Sequence, residues 1–244
     1  MGQTLARGLS ALDEFRVVAL VDSEEPAALF GARYAVRLDD LDASAIDVVI
    51  DFSSPDGVVG SATWCATHGV ALVVGTTGLG DEHRRALEAA SSKVGVVVAA
   101  NFALGAVLSE RFAAMAAPYF QRVEIIELHH DRKVDAPSGT SIATAEAIAR
   151  ARGEKGLDAM VDPTKKHTVE GARGAEVAGG VKIHSVRLPG LVAHQEILFG
   201  SLGEGLTIRH DSYDRESFLP GVAIAAAYVD ATRPGLVRGI DSLL

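Results

Sequence analysis

Val70-Ala71-Leu72-Val73-Val74-Gly75-Thr76-Thr77-Gly78 decides the fold. An apolar run without polar alternation, broken by glycine, reads as a strand covered on both faces, as in a parallel sheet. The turn at Gly75 to Gly78 leads into a helix over 80–92, with charges on Asp81, Glu82, Arg84, Arg85 and Glu88. The pattern then repeats, because Val94-Gly95-Val96-Val97-Val98 is a strand ending in Ala99-Ala100-Asn101-Phe102. Upstream, Ile46-Asp47-Val48-Val49-Ile50 is a strand followed by Asp51-Phe52-Ser53-Ser54-Pro55. A helix over 56–68 follows, with Val58, Val59 and Trp64 facing the core. Further back, Arg16 to Val21 reads as a strand ending at Asp22, behind a helix over 2–15 with Leu5, Leu9, Leu12 and Phe15 at helical spacing. The segment 23–45 is mixed, with room for a short helix at 25–31. Strands alternating with helices define the α/β class and a parallel sheet covered on both faces. Ligands bind such sheets at the carboxyl ends of the strands. Asp22, Phe52, Gly75-Thr76-Thr77 and Asn101-Phe102 all follow strands, so they are expected along one edge.

The character changes at about Ala103. A helix over 104–117 ends near Pro118, and Val123 to Leu128 is a strand. Residues 153–180, rich in Gly, Lys and Asp, read as a long loop. Three strands follow at 182–188, 192–199 and 205–210. In the last, Leu206, Ile208 and His210 alternate with Thr207, Arg209 and Asp211, as in a sheet with one covered face. Residues 214–230 return to helix, which tolerates Pro220 only in its first turn. The expected organisation is a nucleotide domain of 1–103 and 214–244, and an α+β domain of 104–213 with a mixed sheet.

The 244 residues are 48% hydrophobic and 23% charged, ordinary values for a globular chain, and the net charge is −9. An acidic protein with few aromatics is a poor nucleic-acid binder. No apolar run is long enough to span a membrane, and no leader signal opens the chain. The single Cys65 forms no internal disulfide, so a cytoplasmic location is expected.

The chemistry concentrates in Glu127-Leu128-His129-His130-Asp131-Arg132-Lys133-Val134-Asp135-Ala136-Pro137-Ser138-Gly139-Thr140. Two imidazoles and an ammonium can supply protons and positive charge. The Ser138-Gly139-Thr140 turn opens a helix through Ile142 to Ala149, whose N–H groups and dipole suit a carboxylate. A strand running through both histidines would turn them to opposite faces, so one works on the reacting atom and the other contacts the ligand. The spacing of His129, His130, Asp131 and Asp135 fits no compact zinc pattern, and no metal is expected. His184, His194 and His210, on strands, read as satisfied structural histidines.

On the nucleotide side, Asp22 follows a strand about 20 positions after Gly2, where a dinucleotide fold places its ribose-binding acid. Taken singly, Asp22 reads first as a strand-end turn residue, Gly75-Thr76-Thr77-Gly78 as a tight turn, and Phe52 and Phe102 as core or edge aromatics. Together these strand ends favour a nucleotide site.

The stretch His129 to Thr140 resembles the signature of the 4-hydroxy-tetrahydrodipicolinate reductase family, also called dihydrodipicolinate reductases. Val49-Ile50-Asp51-Phe52-Ser53, Gly75-Thr76-Thr77-Gly78 and Ala99-Ala100-Asn101-Phe102 are similar to the family's other segments, in order. The resemblance implies a Rossmann-like domain holding NADH or NADPH. Gly2, Asp22, Phe52, Gly75, Thr76, Thr77, Ala99, Ala100, Asn101 and Phe102 would line the cofactor's path. It further implies hydride transfer to C4 of a cyclic imine dicarboxylate, with water lost from the 4-hydroxy substrate. His129 would be the general acid/base and Lys133 the proton donor, with His130, Ser138, Gly139 and Thr140 on the substrate. Family members are homotetramers joined through the second domain's sheet, and their product feeds diaminopimelate and lysine synthesis.

Two departures set further expectations. Family members open with a strand and a G-x-x-G-x-x-G loop, whereas Met1-Gly2-Gln3 enters at the last glycine. The natural chain is therefore expected to start upstream, and the neighbours of that central strand to lack backbone partners. Ser23 follows Asp22 where some relatives carry Arg, which favours NADH. The rival readings are another small-acid dehydrogenase on the same scaffold, and a catalytically impaired binding protein.

Overall fold

The computed structural model describes residues 1–244. They form two compact units, Met1–Leu104 with Arg215–Leu244, and Gly105–Asp214. In chain order the elements are α1 (Gly2–Leu9), β1 (Ala19–Val21), β2 (Arg33–Ala35), β3 (Val48–Asp51), α2 (Pro55–His68), β4 (Ala71–Val74), α3 (Asp81–Ser91) and β5 (Gly95–Val98). Next come α4 (Leu104–Ala116), β6 (Arg122–His129), α5 (Gly139–Glu154), β7 (Ala175–Glu176), β8 (Lys182–Arg187), β9 (Ala193–Ser201) and β10 (Glu204–Ser212). The chain closes with α6 (Leu219–Tyr228) and β11 (Gly235–Arg238).

The first unit is α/β and Rossmann-like. Its larger sheet is all parallel, in the order β11-β5-β4-β3, with Asp51, Val74 and Val98 in register at the carboxyl ends. β4 is buried throughout, as its unbroken apolar run requires. Val58, Trp64 and Cys65 of α2 and Leu87 of α3 pack on Leu72, Val74 and Val96. α2 begins with Pro55 in its first turn, where the missing N–H costs nothing, and ends at Gly69 in the left-handed conformation.

The parallel sheet is not one piece. β1 pairs only with β2, in a separate two-stranded parallel sheet, and β3 pairs only with β4. Each therefore keeps one edge without a partner strand, and both are less buried than β4. Other boundaries also differ from expectation. α1 stops at Leu9, because the buried stripe is Leu5, Ala6 and Leu9, and beyond it the chain continues in tight turns. No helix forms at 25–31. β11, unforeseen, extends the sheet beyond β5. Residues 215–218 form a 3₁₀ turn, and α6 proper carries Pro220 in its first turn.

The second unit is a mixed sheet in the order β10-β9-β6-β8-β7. β6 lies antiparallel to β9 and parallel to β8. Val123, Ile125, Ile183, Ile197 and Phe199 form a core with Ala113 and Ala117, and with Ala145 and Ile148 of α5. The long loop contains one short strand, β7.

Candidate active site

Strand alternation puts Val123, Ile125, Glu127 and His129 on one face of β6. The first two join the core, and Glu127 is 0% exposed. Burial pushes the Glu127 carboxyl up, but hydrogen bonds from His129, Arg187 and Ser185 outweigh it and bring the group down to about 2. Arg187 meets it as a fork, with Nη1 donating to Oε2 at 2.9 Å and Nη2 to Oε1 at 2.8 Å. His129 Nδ1 bonds to the same Oε2. An ionised carboxylate only accepts, so Nδ1 carries a proton and Nε2 is the working ring atom.

The network extends to the lysine. Arg187 Nη2 also donates to the backbone oxygen of Asp135 at 2.7 Å. The Lys133 ammonium donates to both Asp135 carboxylate oxygens at 2.8 Å, which holds that carboxyl below its ordinary range. His129 and Lys133 thus sit on two arms of one network joined at Arg187. His130 lies just past β6, in a turn closed by Lys133 N–H donating to its carbonyl at 3.1 Å. Its Nδ1 is buried and has no hydrogen-bond partner.

The start of α5 is anchored separately. The Ser138 hydroxyl accepts from Ser141 N–H at 3.2 Å and bonds to the Ser141 hydroxyl at 2.8 Å, so it is spent on capping the helix. This cap starts α5 at Gly139, at the Ser138-Gly139-Thr140 turn. Ser141 Oγ donates to Gln195 Oε1 at 2.7 Å, and Gln195 Nε2 donates to Thr144 Oγ1 at 3.1 Å. Gln195 on β9 is the cross-strand partner of Glu127 on β6. The helix start and His129 therefore hang from one polar pair in the sheet. Apart from its chain neighbours and the helix backbone, nothing lies within 4 Å of the place a Gly139 side chain would occupy, so the mouth of the helix is open.

In the first unit, register brings Phe52, Gly75-Thr76-Thr77 and Ala99 to Phe102 to one edge. Phe52 lies across Gly75, where a Cβ would come within 2.1 Å of its ring. Phe102 is fully buried, 5.5 Å from Phe52 between ring centroids. Thr76 is buried and donates to Asp51 Oδ1 at 2.9 Å, while Thr77 and Ala100 are exposed. Asn101 Oδ1 accepts from Ala103 N–H at 2.9 Å. Asp51 also holds Ser53 through its N–H and hydroxyl, and its Oδ2 is buried without a partner. Asp22 stands apart on the two-stranded sheet, exposed, bonded to the Ser23 hydroxyl at 3.3 Å. Gly2, in the first turn of α1, is exposed as well.

Two adjoining segments match family descriptions. Residues 1–102 match "Dihydrodipicolinate reductase, N-terminus", and residues 105–244 match "Dihydrodipicolinate reductase, C-terminus". The chain belongs to the dihydrodipicolinate reductase family. The 4-hydroxy-tetrahydrodipicolinate reductase of Nocardia farcinica is 48% identical over 248 residues, covering 100% of this chain and 94% of its own length. That of Enterococcus faecalis is 46% identical over 252 residues, covering 100% and 95%. The solved structure of a dipicolinate-bound dihydrodipicolinate reductase from Paenisporosarcina sp. TG-14 superposes with a TM-score of 0.86 at 40% identity, covering 100% of this chain and 95% of that one.

Within this dihydrodipicolinate reductase fold, sequence reasoning passed over Glu127, Arg187, Gln195 and Asp51. Glu127 carried a usable signal, since it stands two positions before His129 and hence on the same strand face. Arg187 carried none, being 60 positions from Glu127. The two strand histidines His184 and His194 are satisfied by Glu124 and Asp211, each at 2.8 Å. His210 packs against Gly105, and burial lowers its pKa.

Proposed function

We propose that this protein is an NAD(P)H-dependent oxidoreductase that reduces 4-hydroxy-tetrahydrodipicolinate to tetrahydrodipicolinate, a step toward diaminopimelate and lysine. The observation that carries the reading is the single network that holds His129 and Lys133, set beside the polar anchor of the α5 start. A cyclic dicarboxylate needs positive charge for its acids and a proton source for its ring, and this set offers both.

The nucleotide edge fits a nicotinamide cofactor. Asp22 offers an exposed carboxylate suited to ribose hydroxyls, and Thr77 and Ala100 leave the strand ends open. Gly2, Phe52, Gly75 to Thr77 and Ala99 to Phe102 would hold it, Phe102 from beneath through its packing on Phe52. When bound, the cofactor supplies a hydride. The chain's own groups do the rest. The start of α5 at Ser138, Gly139 and Thr140 binds a substrate carboxylate, with Ser138 acting through the cap. His130 offers its unpartnered Nδ1 to the substrate. His129 moves a proton at Nε2 as water leaves, and Lys133 donates a proton after release from Asp135. The absence of a cation immediately after Asp22 favours NADH over NADPH.

The assembly proposed is a homotetramer joined through the sheet face opposite α5. There Ile126, Leu128, Val186 and Leu198 make a half-buried apolar strip. Glu124 with Arg173 and His184 frames one side, and Glu196 with Arg209 the other. No helix is long and apolar enough to cross a membrane, and the reading places the enzyme in the cytoplasm with a small-molecule substrate and no nucleic acid. The test is a coupled assay with freshly made substrate and each cofactor in turn. Turnover with a higher kcat/KM for NADH is expected. No turnover with either cofactor would overturn the activity, and a strong NADPH preference would overturn the cofactor assignment.

A further inference from the structure

We infer that Glu127 is the positioning residue of His129, and that Arg187 locks the pair in place. This rests on the reading of His129 as the general acid/base. Glu127 occupies the covered face of β6, directly after Val123 and Ile125, where an apolar side chain would complete the core. Burying an ion pair there is a poor way to stabilise the fold, because desolvation offsets most of the attraction. What the carboxylate gains is direction. Oε2 is shared by Arg187 Nη1 and His129 Nδ1, and Oε1 is held by Arg187 Nη2. Turning the imidazole over would place a ring carbon against Oε2, so one ring orientation and one tautomer are selected. Because Arg187 also grips the backbone of Asp135, the same lock sets the turn that carries Lys133 relative to the imidazole.

On the opposite face of the same strand, Glu124 binds His184 and Arg173 in a similar trio. That trio is about one-third exposed, so water competes for its bonds. Burial distinguishes Glu127, since no solvent molecule can substitute for its directional hold.

The test uses the full chain labelled with ¹⁵N-histidine, with His129 assigned by loss of its signal in His129→Gln. In the wild type, His129 is expected as the Nδ1–H tautomer at neutral pH. Glu127→Met combined with Arg187→Met removes both charges together and leaves no unpaired ion. In that variant the Nε2–H tautomer is expected to appear, and kcat to fall about 10–100-fold with KM changed less than about 3-fold. Glu127→Gln, which keeps size and one acceptor, is expected to lie between the two, and it serves if the double variant fails to fold. A double variant that keeps the wild-type tautomer, or keeps kcat within about 3-fold, overturns the inference, as does a Glu127→Gln protein identical to the wild type in both readouts. Should His129→Gln itself turn over normally, the acid/base reading falls on its own, while the tautomer result still measures the Glu127 contact.

Discussion

Acid should loosen the second unit through one carboxylate, Glu127. On folding its pKa moves from an ordinary 4.5 to about 2. A factor of ten in proton affinity is worth about 1.4 kcal/mol, so the ionised, paired carboxylate contributes about 3 kcal/mol at neutral pH. Because the folded value is the lower one, this contribution is complete above the unfolded value of 4.5 and disappears as the pH falls toward 2. In Glu127→Gln the contribution is absent, because Arg187, about one-fifth exposed, loses its counter-charge. The difference in unfolding free energy between the two proteins should therefore be largest near neutrality and shrink by about 3 kcal/mol between about pH 5 and about pH 2. Glu124 and Asp211 also have lowered pKa values, but they lie outside the Glu127 network and both proteins keep them, so they cancel in the difference. Urea unfolding followed by circular dichroism across that pH range measures it. Amide exchange on β6 separates the second unit from the first, since two compact units need not unfold together. Curves that stay parallel down to about pH 2 would mean that Glu127 is not held ionised by His129 and Arg187, and the electrostatic account would be wrong.

Other perturbations read different parts of the molecule. His129→Ala and Lys133→Ala should each lower kcat by about 10²–10⁴-fold in the reductase assay, and near-normal turnover in both would defeat their assigned roles. Gly75→Ala would set a methyl 2.1 Å from the Phe52 ring, so the ring must move. NADH fluorescence titration should then show weaker binding by a protein that remains folded, and unchanged affinity would remove Phe52 and Gly75 from the cofactor site. Leu198→Arg places a charge in the apolar strip of the sheet, and sedimentation should report a smaller assembly than the wild type. An unaltered assembly would move the proposed interface elsewhere.

The fold was legible where one strand could be recognised by itself. β4 and β5 are short, apolar and ended by glycine or alanine, and each falls where its pattern puts it. β11 was missed because Gly235-Leu236-Val237-Arg238 is too short to signal a strand, and its stability comes from pairing with β5. The division between β1 and β3 is likewise a matter of partners, which no local pattern records. α1 illustrates the opposite error. Leu12 and Phe15 keep helical spacing, yet the helix ends at Leu9, because spacing describes which residues could share a face and not whether a core lies there to receive them.

The active site divides along the same line. His129, His130 and Lys133 stand together in the sequence, and their chemistry identifies them without a structure. The residues that aim them are spread over three strands, as Glu127 on β6, Arg187 on β8 and Gln195 on β9. Even so, two of these three left a trace. Val123, Ile125 and Glu127 alternate along β6, and Gln195, Ile197 and Phe199 along β9, so on each strand a polar residue adjoins the apolar pair of the covered face. A polar side chain in such a place costs several kcal/mol unless it is bonded, and it must therefore find partners. Both are the first polar break at the end of the core nearest His129, and the register makes them neighbours. A polar residue that interrupts the covered face of an otherwise apolar strand, just before a run of ionisable residues, marks the support of a site before any coordinate is known. Its partners remain hidden until the strands are paired, because pairing alone brings Arg187 across to Glu127.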